Sequence, residues 1–264
     1  MNKPGEEPLL SLPERHSRIL SLLQQNGSIS VTQLSELFKV SEVTIRKDLS
    51  YLEQQKKLYR THGSAILISP YISDRHVHEK EKKNVAEKRA IGAAAAALVS
   101  QDDSIIIASG TTMAFLAREI KPVGRLTVIT AAVPVTQILS QHDDVDVIQL
   151  GGITRSSSVS VVGPFAESML RNFNCSKLFV GVDGIDTEFG LTTTNVLEAS
   201  LNDAMINAAQ KVVVLADSSK FGRRGFSKIC DLEAVDRIIT DSGVQPLYLE
   251  RLRERGIEVT VVDV

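Results

Sequence analysis

Between Gln33 and Arg60 the chain reads QLSELFKVSEVTIRKDLSYLEQQKKLYR, and the segment that opens at Ser41 restricts the fold more than any other. A serine in this position can accept a hydrogen bond from a backbone amide two or three residues on, which starts a helix. Ile45, Leu49 and Leu52 then recur at helical spacing and form one inward stripe. Thr44 and Arg46 lie early in the same helix on another face, where side chains reach into a DNA groove, and Val43 does not share that face. The pattern predicts a recognition helix from Ser41 to Gln55. A helix this short needs a packed domain behind it.

That domain is legible on both sides. Leu12 to Gln25 carries Ile19, Leu22 and Leu23 at helical spacing and meets stop chemistry at Asn26-Gly27. Val31 to Phe38 gives a second short helix, with Lys39-Val40 as the turn before Ser41. Leu58-Tyr59-Arg60 and Ala65-Ile66-Leu67-Ile68 flank Thr61-His62-Gly63-Ser64 as a small hairpin, or wing. Residues 11–69 therefore read as a winged helix-turn-helix behind a loose tail at 1–10. The whole chain has a net charge of -2, which argues against coating nucleic acid along its whole surface. From Lys39 to Arg60, however, six basic residues face three acidic ones, a local excess of +3. Ser41, Thr44, Arg46 and Lys47 are the candidates for DNA contact, with Arg46 the base reader. A bidentate arginine–guanine contact discriminates by about 1–3 kcal/mol. Lys56, Lys57, Arg60 and His62 are expected nearer phosphates. Asp48 is expected to be an intramolecular partner of Arg46 or a neighbour, because phosphate repels a carboxylate.

Residues 70–84 change character. PYISDRHVHEKEKKN is polar, charged and poor in aliphatics, and reads as a solvated linker. From residue 85 to 264, short Ile- and Val-rich runs alternate with amphipathic ones. Strands are predicted at Ser104–Ala108, Leu126–Thr130, Val145–Leu150, Leu178–Val182, Val212–Ala216, Arg237–Thr240 and Glu258–Val262. Helices are predicted at Val85–Val99, Thr112–Ile120, Pro134–Ser140, Phe165–Asn172, Val196–Ala209 and Gln245–Arg255. This alternation describes a doubly wound α/β domain whose largely parallel sheet is covered on both faces. Such sheets bind ligands beyond the carboxyl ends of their strands.

Four strand ends carry suitable residues. Ser109-Gly110-Thr111-Thr112 places a glycine and three hydroxyls at a helix N-terminus, which suits an anion, although Thr112 can equally be only a cap. Gly151-Gly152-Ile153-Thr154-Arg155 offers close backbone approach and a cation for a phosphate or a neighbouring subunit. Asp183-Gly184-Ile185-Asp186 supplies two carboxylates for sugar hydroxyls, or merely a turn. Asp217-Ser218-Ser219-Lys220 adds a lysine that can pair with phosphate.

Other classes find little support. Cys175 and Cys230 stand far apart, without a CxxC or Cys/His cluster, and read as reduced thiols. No run approaches the roughly 20 apolar residues of a membrane span. MNKPGEEPLL lacks the basic start and apolar run of a signal peptide. The expectation is a cytoplasmic protein without metal or cofactor.

The motifs VSEVTIRKDLSYLE and LYRTHGSA, then SGTT, LGGITR, SVVG, VGVDGID, an isolated Glu198 and LADSSKFG, stand in an order that resembles the DeoR-type regulators of bacterial sugar metabolism. The match runs from about Leu12 to the end of the chain. The resemblance implies a C-terminal sensor domain with a fold similar to ribose-5-phosphate isomerase. It also implies an oligomeric transcription factor, usually a repressor, released from double-stranded operator DNA by a phosphorylated sugar. Family effector contacts carry over onto Ser109, Gly110, Thr111 and Thr112 for phosphate. Gly151, Gly152, Asp183, Gly184, Asp186 and Lys220 follow for the rest of the pocket, with Arg155 and Glu198 as further candidates. Three positions depart from the family pattern: Ala108 replaces an acidic residue, Ala131 an asparagine, and Asn202-Asp203 basic residues.

An enzyme of the isomerase class with an added DNA-binding domain is the competing reading. Isomerisation needs a positioned base and a positioned cation. The isomerases resembled here place a lysine in the turn after the Asp-Gly segment, and Gly190-Leu191-Thr192-Thr193-Thr194 contains none. Glu198 alone cannot fill both roles. A purely architectural DNA-binding protein would leave the pocket loops without a purpose. A single winged helix reads few base pairs, so a dimer or tetramer is expected.

Overall fold

The computed structural model describes residues 11–26, 28–55, 57–61, 64–67, 76–122 and 124–264, and forms two compact units that meet in sequence between Pro70 and Tyr71. The first contains α1 (Leu12–Asn26), β1 (Ser28–Ser30), α2 (Val31–Phe38), α3 (Glu42–Gln54), β2 (Leu58–Thr61) and β3 (Ser64–Leu67). The Ser30 hydroxyl accepts from the Gln33 amide while the Gln33 side chain accepts from the Ser30 amide, a reciprocal cap that starts α2. Lys39 ends that helix in the left-handed region at φ 53°. The Ser41 hydroxyl then accepts from the Thr44 amide and opens α3. The wing is larger than the predicted hairpin, because β1 joins it and gives an antiparallel sheet ordered β1-β3-β2.

Ile19, Leu23, Leu34, Ile45, Leu49, Leu52, Leu58 and Ala65 are buried together as the core of this unit, while Val43 is 59% exposed. The inner face of α3 also carries Asp48, which is only 3% exposed. Arg15 of α1 answers it through two hydrogen bonds, Nε to Oδ2 at 2.6 Å and Nη2 to Oδ1 at 3.1 Å, and His16 Nε2 lies 3.1 Å from Oδ1. The partner of Asp48 is thus not Arg46. Residues two apart on a helix face different ways, and Asp48 shares its side of α3 with α1.

The second unit contains α4 (Val77–Glu81), α5 (Val85–Ala96), β4 (Ser104–Ile107), α6 (Thr111–Glu119), β5 (Leu126–Thr130), α7 (Val133–Leu139), β6 (Val145–Gln149), β7 (Ile153–Arg155), β8 (Ser160–Val162) and α8 (Pro164–Leu170). It continues with β9 (Lys177–Gly181), β10 (Gly184–Asp186), β11 (Gly190–Thr193), α9 (Val196–Asn207), β12 (Val212–Leu215), β13 (Ser227–Cys230), β14 (Arg237–Asp241), α10 (Pro246–Glu254) and β15 (Glu258–Val262). Seven strands form one parallel sheet in the order β15-β14-β12-β9-β4-β5-β6. Alternate residues feed its two faces. Ile105, Ile107 and Phe179 pack on one side with Ile91 of α5, Leu116 of α6 and Val135 of α7. Ile106, Leu178 and Val180 pack on the other with Ala166 of α8, Met205 of α9 and Leu252 of α10.

Strand order reverses at β4. The chain winds outward through β5 and β6, returns to β9 on the other side of β4, and winds outward again through β12, β14 and β15. Loops leaving β4 and β9 therefore diverge and open a crevice. Two features lay outside the expected pattern: the antiparallel sheet β10-β11-β13 and the β7-β8 hairpin. The run expected to be a solvated linker, 70–84, also contains α4.

Removing one member of a buried ion pair leaves the other uncompensated, at a cost of about 3–5 kcal/mol. Asp48→Ala is expected to lower the stability of the N-terminal unit by that order in denaturant titration of the full chain, with the transition of the sensor unit unmoved. An unchanged N-terminal transition would show that the pair adds no net stability.

Candidate functional site

The crevice at the β4/β9 reversal is a cleft of about 750 Å³, counted out to open solvent. Ser109, Gly110, Thr111 and Thr112 line one wall, Asp183 and Thr193 a second, and Asp217 and Lys220 a third. The first wall is the start of α6. Its N-cap is Gly110, at φ 130°, no side chain among the described residues caps the helix there, and Gly110, Thr111 and Thr112 all line the cleft. Backbone amides, the helix dipole and hydroxyls in one place favour an anion.

The opposite side is acidic. Asp183 Oδ1 accepts from Lys80 Nζ at 2.9 Å and lies 3.9 Å from Lys220 Nζ. Its Oδ2 accepts from the Thr193 and Thr194 hydroxyls at 3.2 and 3.3 Å. Burial alone would raise the pKa of this carboxyl, but the two ammonium groups and the hydrogen bonds from Lys80 and Thr193 outweigh it and hold the value below the ordinary one. Asp183 is therefore an anion at neutral pH, with acceptor capacity directed at the cleft. Glu198, on α9, also lines the cleft and is held 2.7 Å from Arg155 Nη1. The cleft thus presents the hydroxyls at the start of α6 together with the carboxylates of Asp183 and Glu198, which already hold the Lys80, Lys220 and Arg155 cations.

The fold brings Ser109, Gly110, Thr111, Thr112, Asp183, Glu198 and Lys220 to the cleft. Gly151, Gly152, Arg155, Gly184 and Asp186 do not line it. Arg155 acts through Glu198 instead. Gly152 and Gly184 answer packing needs. A Cβ on Gly184 would stand 2.4 Å from the Arg223 carbonyl oxygen, and one on Gly152 would stand 2.7 Å from that of Val162. Asp186, 1% exposed, is bound by the Arg224 guanidinium at 2.8 and 3.0 Å and by the Glu188 and Phe189 amides. Burial pushes its carboxyl up, and those bonds, with the Arg224 charge, bring it below the usual value.

Lining residues that the site assignment omitted are Lys80, Lys88, Ser157, Ser158, Thr193, Asn202 and Asp217. Lys88 left a signal. It falls in the stripe of Ile91, Gly92 and Ala95, the buried face of α5, and a lysine on an apolar stripe has to meet something polar. Its ammonium donates to the carbonyls of Lys80 and Lys83, and desolvation lowers its pKa. Ala108 and Ala131 are both buried in the apolar core.

In the N-terminal unit, Thr44 lies one turn from the Ser41 cap, their hydroxyls 2.9 Å apart. The Arg46 guanidinium donates to Glu42 at 2.6 Å and remains 58% exposed. Lys47 and Lys57 are exposed, and Arg60 is held by Glu53 at 2.7 Å and by the Ser50 hydroxyl at 2.6 Å. Lys56 and His62 lie outside the described residues.

Burial raises the pKa of both free thiols, Cys230 to about 12, so both are protonated at neutral pH. Among the described residues no group of three or more His, Cys, Asp or Glu side chains is placed to hold a metal ion. None of the described helices is long and apolar enough to cross a membrane.

Comparison with known proteins adds a family. Residues 15–71 match the DeoR-like helix-turn-helix domain, and residues 83–242 match the DeoR C terminal sensor domain. The chain is 39% identical to the HTH-type transcriptional regulator YulB of Bacillus subtilis, over 94% of this chain and 96% of that one. It is 38% identical to a putative aga operon transcriptional repressor of Escherichia coli O157:H7, over 98% and 97% of the two chains. It is 34% identical to the lactose phosphotransferase system repressor of Lactococcus lactis, over 91% and 95%. Among solved structures, ribose 5 phosphate isomerase A from Neisseria gonorrhoeae overlaps 52% of this chain and 53% of that one, at 17% identity and a TM-score of 0.38.

Two outcomes follow from the charges. Asp186 has a depressed pKa in the fold, so its stabilisation is complete above the unfolded value of about 4 and is lost as pH falls through the folded value. Asp186→Asn should therefore reduce stability at pH 7 and flatten its decline in denaturant titrations taken at successively lower pH. An unaltered slope would remove Asp186 from the acid response. Glu42→Gln frees Arg46 from an exposed i,i+4 pair of the kind that contributes about 0.3–0.5 kcal/mol. Fluorescence anisotropy with the cognate DNA should show about twofold tighter binding; weaker binding would mean that Glu42 positions Arg46 for contact.

Proposed function

The chain belongs to the DeoR family of DNA-binding transcriptional regulators, and from that premise we propose that it represses a carbohydrate catabolic operon and leaves operator DNA when a phosphorylated sugar enters its sensor cleft. It is a regulator rather than an enzyme, as its relatives are by name. One of those relatives carries the name of a sugar system, the lactose phosphotransferase system, which supports the carbohydrate assignment.

The observation that carries the effector reading is the two-ended cleft. Phosphate suits the open start of α6, with the Ser109, Thr111 and Thr112 hydroxyls and the Lys220 ammonium. Sugar hydroxyls suit Asp183 and Glu198, which accept hydrogen bonds and are already oriented by Thr193, Thr194 and Arg155. Ala108 and Ala131 have no polar atoms to offer beyond the backbone, so the sugar end is read by Asp183, Glu198, Thr193 and Asn202.

On DNA, α3 enters the major groove. Arg46 exchanges Glu42 for guanine, and Thr44 and Lys47 lie alongside. Lys56, Lys57, Arg60 and His62 follow phosphates and set affinity rather than sequence. One winged helix covers few base pairs, so the active species is a homo-oligomer, a dimer at least. Its place is the cytoplasm, with the DNA.

A thermal-shift screen of sugar phosphates on the purified chain, followed by anisotropy with operator DNA, tests the reading. The expected result is one phosphorylated sugar that both stabilises the protein and releases DNA. Arg46→Ala should weaken specific binding at least tenfold, in line with loss of an arginine–guanine contact. Thr111→Ala and Lys220→Ala should retain DNA binding and lose release. Normal release in both by the same sugar phosphate would remove the cleft from the mechanism.

A further inference from the structure

Residues 76–84 cross the cleft as a strap, and polar contacts fasten it. The Val77 amide donates to the Ser157 carbonyl at 2.6 Å, Lys80 to Asp183 at 2.9 Å, and the Asn84 side chain to Asp217 at 2.9 Å and Ser219 at 3.4 Å. Glu81 faces Arg118 at 3.3 Å. None of the described side chains of α4 is buried, and Val77, its apolar one, is only partly covered. Beneath the strap, buried Lys88 of α5 binds the carbonyls of Lys80 and Lys83, which close α4. The position of α4 thus depends on charge and hydrogen bonding to the same loops that line the cleft, rather than on apolar burial.

Lys80 and Lys220 share one acceptor, Asp183 Oδ1. An anion arriving at the start of α6 offers both lysines a second acceptor. Resting on the effector reading above, we propose that Lys80 is an effector-binding residue and the trigger of release. Without ligand it is fastened to Asp183. With ligand it turns to the phosphate, Asp183 is freed for sugar hydroxyls, and α4 moves with its lysine. This exchange supplies the difference between two states that a ligand needs in order to shift an equilibrium. Only residues 68–76 join α4 to β3 of the winged helix, so displacement of α4 changes the point from which the DNA-binding domain is tethered. Asn84 makes a hinge available at the far end, since it sits in the left-handed region at φ 52° between α4 and α5.

Hydrogen–deuterium exchange of the full chain with and without inorganic phosphate tests this. Phosphate should protect 109–113 and alter exchange over 77–84. Lys80→Met should weaken phosphate binding about tenfold, as expected for a lost charged hydrogen bond, and abolish the response at 77–84. Lys80→Arg should restore both. Glu79→Gln, on the exposed face of the same helix, should behave as wild type. If phosphate protects 109–113 yet Lys80→Met binds it equally well and shows an unchanged response at 77–84, the trigger is overturned while the cleft stands. If phosphate leaves 109–113 unaffected in the wild type, the effector reading fails and the trigger fails with it.

Discussion

A carboxylate removed from water at the end of a parallel strand must collect positive charge and hydroxyl donors, and Asp183 collects them from segments far apart in sequence. Lys80 comes from the strap, Thr193 and Thr194 from the end of β11, and Lys220 from the loop after β12. Each donor arrives with a wall of the cleft attached. The geometry of the site is therefore a consequence of one desolvated charge, and any group that competes for those donors acts on several walls together. Asp48 plays the corresponding part in the winged helix. It faces inward from α3, draws Arg15 and His16 of α1 onto it, and so fixes the helix that carries the side chains proposed to read DNA. Each unit contains an acid, Asp48 or Asp183, that draws partners from other segments of the chain.

The parallel sheet was legible because its cause is local. A run such as Ser104 to Ile107 is apolar on both faces, and alternate residues do enter two separate cores. Once the strands are known, their carboxyl ends locate Ser109–Thr112, Asp183 and Lys220 without further information. The same holds for α3, whose Ser41 cap and Ile45, Leu49, Leu52 stripe are both readable within a dozen residues. The strands of the β10-β11-β13 sheet are three or four residues long, and β11 meets β13 only after an intervening helix and strand, so no periodicity announces them. The strap was missed for a similar reason. A charged run is polar whether it is solvated or fastened, and Lys80 is 103 residues from the acid that holds it. Gly184 and Asp186 show the converse. They sit in a motif that resembles a binding loop, and what they satisfy is the crowding against Arg223 and the charge of Arg224.

The pairing of Arg46 with Glu42 bears on how the protein would travel along a genome. On the proposed reading, while that pair is closed a wrong sequence would be touched chiefly by Lys47 and Lys57, exposed point charges suited to the phosphate backbone rather than the bases. Such contacts are indifferent to register and permit sliding. Arg46 has a reason to leave its carboxylate only where a guanine presents two acceptors side by side. On the proposed reading, the acid in the first turn of α3 would shorten the dwell at random sites.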